Sequence, residues 1–175
     1  LYQNGYTRGI IPDKCPACGG PTEIKNENGT ETLNCINPDC PAKNIKLFSL
    51  FVSRNAMNID GMSEATIERF IGAGILHRLS DIFHLREHRD IIVGMDGFGE
   101  KSYDNLIKAI DVSRKADMAD FLYGLGIKGF GTANAKLVVK AYKNDFNAIM
   151  DAKEEDLREI EYVGDVLAHD FVQYF

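Results

Sequence analysis

A short glycine-centred motif recurs four times in this chain, and that recurrence limits its fold more than any other feature. The copies are Asp60-Gly61-Met62-Ser63, Asp96-Gly97-Phe98-Gly99, Lys128-Gly129-Phe130-Gly131 and Glu161-Tyr162-Val163-Gly164. Their last positions lie 36, 32 and 33 residues apart. Such a period marks repeated supersecondary units, each too small to bury its apolar face alone.

Each copy sits between amphipathic segments. After the first copy, Ile67, Phe70 and Ile71 form an i, i+3, i+4 stripe; Leu106, Ile107 and Ile110 follow the second, and Leu137, Val138 and Ala141 the third. Upstream helices are expected at Ile45–Arg54, Leu85–Val93, Met118–Leu125 and Glu154–Ile160, with Asp117 as the N-cap of the third. The unit reads as helix, tight turn, helix, with very little strand after residue 41. Motifs one and two should share one core, and motifs three and four another. Met62, Phe98, Phe130 and Val163 should anchor the turns in those cores, and the aromatic residues at helical spacing read as core.

Such a turn has a chemical use. It can expose successive backbone N–H groups, and the following helix begins with more unpaired N–H groups at the positive end of its dipole. A phosphate oxygen fits there, held without regard to base sequence. One Gly-x-Gly alone reads sooner as a helix C-cap followed by an ordinary turn. Four at near-regular spacing favour anion binding. Lys101 after the second turn, and Lys128 and Lys136 around the third, favour phosphate over a helical array that binds protein. The expected contact set is Gly61, Gly97, Gly99, Lys101, Lys128, Gly129, Gly131 and Lys136.

All four cysteines precede the repeats. Cys15 and Cys18 form a Cys-x-x-Cys pair; after 16 intervening residues comes Cys35-Ile-Asn-Pro-Asp-Cys40. Two close pairs on one short segment can bring four thiolates to one tetrahedral zinc. Gly19 and Gly20 ease the fold-back after the first pair. Thr22–Lys25 and Thr30–Asn34 read as strands joined at Asn28-Gly29, a hairpin turn signal. Two disulfides are the competing reading, disfavoured by the clustering and by the lack of a secretory signal over Leu1–Lys14. Four thiolates leave a zinc no open position, so the site is expected to be structural. His77, His84, His88 and His169 lie outside the cluster and are not needed as ligands.

Composition bears on partners. Hydrophobic residues make up 45% of the 175, enough for packed cores, and the formal charge is −6. That sum opposes nucleic acid, but its distribution does not. Residues 58–95 carry net −2, residues 96–143 net +2, and residues 144–175 net −7. The middle block should contact phosphate most and the last block least. No apolar run approaches the ~20 residues that cross a bilayer. With no initiator Met, the chain is expected to be a piece of something longer.

A four-cysteine finger running into four such motifs resembles the C-terminal half of the bacterial-type NAD-dependent DNA ligases. The resemblance covers about residues 12–175. It is carried by Cys35-Ile-Asn-Pro-Asp-Cys40-Pro41-Ala42, by Ser53-Arg54-Asn55-Ala56-Met57-Asn58-Ile59-Asp60-Gly61, by Gly97-Phe98-Gly99-Glu100-Lys101-Ser102 and by Leu125-Gly126-Ile127. It implies a mainly α fold: a small four-cysteine zinc finger with a short β-hairpin, then four tandem helix-hairpin-helix motifs. The implied divisions are 1–11, a linker or the end of a preceding domain; 12–57, the finger and a connecting helix; and 58–175, the helix-hairpin-helix domain.

The resemblance also implies a function. Such enzymes form a lysyl-AMP from NAD, pass AMP to the 5′-phosphate of a nick and join it to the 3′-hydroxyl, with magnesium assisting, during replication and repair. The adenylation motif Lys-x-Asp-Gly is absent here, so no catalytic residue is assigned and the isolated chain is expected to be inactive. Its own cofactor would be Zn2+; NAD and Mg2+ would bind elsewhere in the parent enzyme. Its partner would be nicked duplex DNA of any sequence, bound by a monomer in the bacterial cytoplasm, associated with the nucleoid. Ser63 stands where the first turn usually has its second glycine, and Tyr162 where the fourth has its first. The second and third turns should therefore dominate. Two other readings remain open: a zinc-stapled helical module that docks a protein, and the helix-hairpin-helix end of a repair nuclease.

Overall fold

The computed structural model describes residues 11–27 and 29–175. It resolves into two compact units, one ending at Lys46 and the other spanning Leu47–Phe175. The expected segment 1–11 lies, but for Ile11, outside the described residues.

The first unit is built on an antiparallel hairpin. Strand β1 is Thr22–Glu27 and β2 is Thr30–Cys35, in register from Thr22 opposite Cys35 to Glu27 opposite Thr30. Both strands appear where expected and run slightly longer. Gly29 has φ +80°, the left-handed conformation that a tight hairpin turn demands. Asn28, its expected partner in the turn, lies outside the described residues. Among the described residues between 11 and 46, only Cys15 and Cys40 are buried.

Helix α1, Pro41–Val52, begins four residues before the apolar pattern suggested. Pro41 takes the first helical position, where its missing N–H costs nothing, and the Cys40 carbonyl accepts from the amides of Lys43 and Asn44. The division between units falls within this helix. The reason is apolar: Phe48 and Phe51 are buried, and the Phe51 ring meets Phe83 and Phe121 edge-on in the second unit.

The second unit is helical throughout, and no described residue after Cys35 is in a strand. Its helices are α2 (Glu64–Gly72), α3 (Arg89–Val93), α4 (Glu100–Ser113), α5 (Met118–Gly124), α6 (Thr132–Ala141), α7 (Phe146–Met150), α8 (Glu154–Arg158) and α9 (Asp165–Tyr174). A 3₁₀ segment, Leu79–His88, precedes α3 and takes over half of the helix expected at Leu85–Val93. Its apolar residues explain it: Leu79, Ile82 and Leu85 recur every third residue, the 3₁₀ period. The short helix α7 has no counterpart in the sequence reading; Asp145 caps it by accepting from the Ala148 amide. Asp117 does stand at the N-cap of α5, but its side chain makes no capping bond.

The motifs pack in the expected pairs. In the first pair, the Phe70 ring of α2 lies 5.7 Å from that of Phe98 in the second turn, and Gly61 of the first turn faces Leu106 of α4. In the second pair, Phe130 and Phe171 are 5.0 Å apart within one cluster that includes Leu122, Val138, Ile149, Leu157 and Val163. Met62, Phe130 and Val163 are buried as turn anchors; Phe98 is half-buried. One stripe is corrected. In α6 the buried residues are Ala135, Val138 and Val139, while Leu137 is half-buried and Ala141 exposed. Ala135, Val138 and Val139 belong to the buried cluster that also contains Phe130 and Phe171.

Candidate metal centre and nucleic-acid interface

The finger gathers its four sulfurs by two local devices. After Lys14, which bridges to Pro21, the chain reverses: the Cys15 amide donates to the Gly20 carbonyl at 2.7 Å and the Gly19 amide to the Cys15 carbonyl at 2.8 Å. Gly20 is needed there, because a Cβ would lie 3.1 Å from Asn37 Cβ and 3.2 Å from Cys18 Sγ. On the other side, Cys35 ends β2 and Cys40 immediately precedes α1, with the Asp39 amide donating to Asn37 Oδ1 between them.

The result is a compact sulfur cluster. Cys15 and Cys40 Sγ are 3.9 Å apart, Cys18 and Cys35 Sγ 3.5 Å, and all four lie within 4.8 Å of one another. Ligands about 2.3 Å from a tetrahedral zinc are about 3.8 Å from each other. The cysteines are free thiols, so the disulfide reading is not what the structure holds. The Gly20 amide, then Asn37, stabilise a thiolate at Cys18 and lower its pKa to about 6; burial pushes that of Cys35 up to about 12. Thiols this close cannot all ionise without a cation among them. Four sulfurs at this spacing could hold one metal ion and would fill its tetrahedron. No histidine joins them: His84 is 3.0 Å from Glu87 and His169 2.8 Å from Glu154.

In the second unit the four turns share one backbone design. The first turn residue has a positive φ in every copy: Gly61 at 92°, Gly97 at 76°, Gly129 at 71° and Tyr162 at 69°. In the last three, the next amide closes a β-turn of the kind that needs this conformation at its third residue. Phe98 donates to Met95, Phe130 to Ile127 and Val163 to Ile160, each at 3.0 Å. The residue after that is the N-cap of the following helix. Carbonyls of Ser63, Gly99, Gly131 and Gly164 accept from Ile67, Tyr103, Ala135 and Ala168.

The two glycines of a turn therefore serve different ends. The first meets a conformational demand. The second does not: Gly99, Gly131 and Gly164 are extended (ψ −179°, 177° and 175°), and a Cβ on any of them would touch nothing within 4 Å. What their bareness changes is the helix entrance. No side chain caps α4, α6 or α9. Only in the first turn is the position filled, and there Ser63 Oγ accepts from the Thr66 amide at 3.2 Å, closing an amide the other turns leave open.

Charge separates the open turns. Gly97, Gly99 and Lys101 are exposed at the second, and Lys128, Gly129 and Gly131 at the third; Lys136 is exposed further along α6, where it lines a groove with Asp117, Asp120 and Asn144. Beside the second, Glu100 is held by Arg89, with Nη2 2.6 Å from Oε1. At the fourth, Arg158 binds both Glu154 at 2.8 Å and Asp165 at 2.7 Å, among exposed Glu159 and Glu161. That cation is already engaged, and Tyr162 projects with 78% of its surface exposed. The six expected glycine and lysine positions Gly61, Gly97, Gly99, Lys128, Gly129 and Gly131 lie in the turns themselves, while Lys101 and Lys136 lie on the helices that follow. The structure adds two features the sequence reading missed: the Ser63 cap, legible as Ser63-x-x-Thr66, and the Arg69 contact to Asp96, which no local pattern signals.

Comparison with known proteins gives these features a context. The family described as a helix-hairpin-helix motif matches residues 120–175, the third and fourth motifs. Proteins named DNA ligase from Lachnoclostridium phytofermentans, Ruminiclostridium cellulolyticum and Brevibacillus brevis are 48%, 45% and 38% identical over 165 residues. Each alignment covers 94% of this chain, which spans about a quarter of those relatives (25%, 25% and 24%). No described helix is long and apolar enough to cross a membrane. Along nearly all of its length, then, this chain of paired helical hairpins and clustered cysteines is similar to a segment of the bacterial proteins named DNA ligase.

Proposed function

We propose that this chain is the DNA-holding part of an NAD-dependent DNA ligase, gripping the phosphates of nicked duplex while another part of the enzyme carries out adenylation and sealing. The observation that carries the reading is the pair of open helix entrances at Gly97-Phe98-Gly99 and Gly129-Phe130-Gly131. Each combines a left-handed first glycine, a bare N-cap and an uncapped helix. Backbone N–H groups and the helix dipole favour an anion there, and Lys101, Lys128 and Lys136 add positive charge. Gly61 lies in the capped first turn and contributes less.

The metal is read as zinc, held by Cys15, Cys18, Cys35 and Cys40. Zinc would supply a closed structural cross-link to a unit whose described residues form almost no apolar core. No residue of this chain is assigned a catalytic role. NAD and Mg2+ would act elsewhere in the parent enzyme, in replication and repair within the bacterial cytoplasm, with the protein acting as a monomer. The divisions 12–57 and 58–175 remain the functional ones proposed. The acidic block 144–175 favours a second reading, a module that docks a protein.

Titration of nicked duplex at several salt concentrations separates the two. Phosphate binding gives affinity that falls with salt and changes little with base sequence, with a slope of about 0.9 per phosphate neutralised. Absence of binding at low salt would remove the ligase-fragment reading in favour of the protein-docking one.

A further inference from the structure

The first motif has a closed turn, yet its helix α2 lies against the second turn at two points. Phe70 packs beneath Phe98, and the Arg69 guanidinium donates from Nη1 to the carbonyl of Asp96, 27 residues away. The same Nη1 is 3.8 Å from where a Cβ on Gly97 would stand. Arg69 therefore sits on the peptide that enters the left-handed step. Ser63, Thr66, Arg69, Gly97, Ser102 and Asn105 line one groove between α2 and α4, of about 560 Å³. No other motif carries a cationic side chain at the matching position: six residues beyond the N-caps Gly99, Gly131 and Gly164 stand Asn105, Leu137 and Asp170.

We propose that Arg69 is a positioning residue for the second turn, and that the first motif acts as a buttress for that turn rather than as a phosphate site. The claim about DNA rests on the function proposed above; the claim about the turn does not. A bond from a guanidinium to the Asp96 carbonyl fixes the Asp96–Gly97 peptide. That peptide sets where the Phe98 and Gly99 amides point, and those amides lead into the open end of α4.

Two measurements on the whole chain test this. First, amide hydrogen exchange without DNA: Arg69→Met should speed exchange at Phe98 and leave Phe130 in the third turn unchanged, and Arg69→Lys should restore part of the protection. Unchanged exchange at Phe98 would overturn the proposal whatever DNA does. Second, nicked-duplex affinity: Arg69→Met should cost about two- to tenfold, the worth of one hydrogen bond. The loss should vanish in a Gly99→Ser background, persist in a Gly131→Ser background, and leave the salt slope unchanged. The same loss in the Gly99→Ser background, with a slope lower by about 0.9, would mean that Arg69 meets phosphate itself, and would overturn the buttress. If Gly99→Ser binds as the parent does, it is the phosphate reading of the second turn that fails, and the exchange result still decides Arg69.

Discussion

Replacing Gly99 and Gly131 together by serine should make the protein more stable and a worse DNA binder. Both glycines are N-caps with extended backbone, φ −119° and −85°, which any residue adopts, and both have open space where a Cβ would go. Ser63 shows the outcome in the first turn, with φ −66°, ψ 163° and its hydroxyl on the third helical amide. Serine exceeds glycine at an N-cap by a few tenths of a kcal/mol. Losing the flexibility of glycine in the unfolded chain adds about 0.4–1 kcal/mol per site. The two sites are in different motifs and should add, giving roughly 1–3 kcal/mol and a Tm higher by about 3–9 °C. Binding should move the other way. Each hydroxyl would occupy an amide that the proposed function gives to phosphate, and would place a side chain at the helix entrance. Hydrogen bonds to a charged group are worth about 1.5–3 kcal/mol, so each turn lost should cost roughly tenfold or more. Calorimetry and titration of nicked duplex on the same preparation are the assays. Gly97→Ala is the contrasting control. At φ 76° a Cβ costs about 1–2 kcal/mol, so this variant should lose stability. A double serine variant that is folded, stabilised and undiminished in DNA affinity would refute the open-entrance argument. A destabilised one would refute the assignment of the second glycine as conformationally ordinary.

Three further outcomes follow from the same geometry. Purified reduced protein should carry one zinc, lost in Cys18→Ser with Cys35→Ser, and chelation should unfold the hairpin while leaving the helical unit's circular dichroism; elemental analysis and hairpin NMR signals check this. Tyr162→Gly should relieve a left-handed tyrosine worth about 1–2 kcal/mol, less about 0.4–1 for unfolded-chain entropy; thermal melts should rise by a few degrees with DNA affinity unmoved. Asp81 sits where burial opposes its charge, but amide bonds from His77 at 2.8 Å and Arg78 at 3.0 Å prevail and hold its pKa below the usual 3.8. A depressed folded-state pKa contributes stability above the unfolded value that is lost as pH falls through the folded one. Asp81→Asn should therefore lower stability at neutral pH and flatten the acid limb below about pH 4, as urea melts across pH would read.

Much of this protein could be read without coordinates, because its strongest signals are local. A cysteine pair two residues apart, a glycine turn and a second pair specify a finger, since metal geometry leaves few arrangements of so short a segment. The four turns were legible for the same reason. A left-handed residue followed by an N-cap is a short-range conformational demand, and glycine spells it in three of four copies. The fourth shows the limit. Tyr162 takes the left-handed conformation regardless, because packing of Val163 and α9 into the core over-determines the turn.

What tertiary structure alone decided involves residues far apart in sequence. The apolar pattern could not show that α1 gives its second half to the helical unit, because Phe48 and Phe51 are buried and the Phe51 ring meets Phe83 and Phe121, far along the chain. It could not show which face of α6 is buried, since Leu137 and Val138 differ by one helical step and only the packed core of the second motif pair chooses between them. Nor could it distinguish the two glycines of a turn. In sequence they look alike; in space one satisfies backbone sterics and the other leaves a helix entrance bare. Arg69 is the furthest case. Its contact with Asp96 spans 27 residues, and no periodicity or motif records it, because a side-chain bond across two hairpins exists only once their shared core has brought them together.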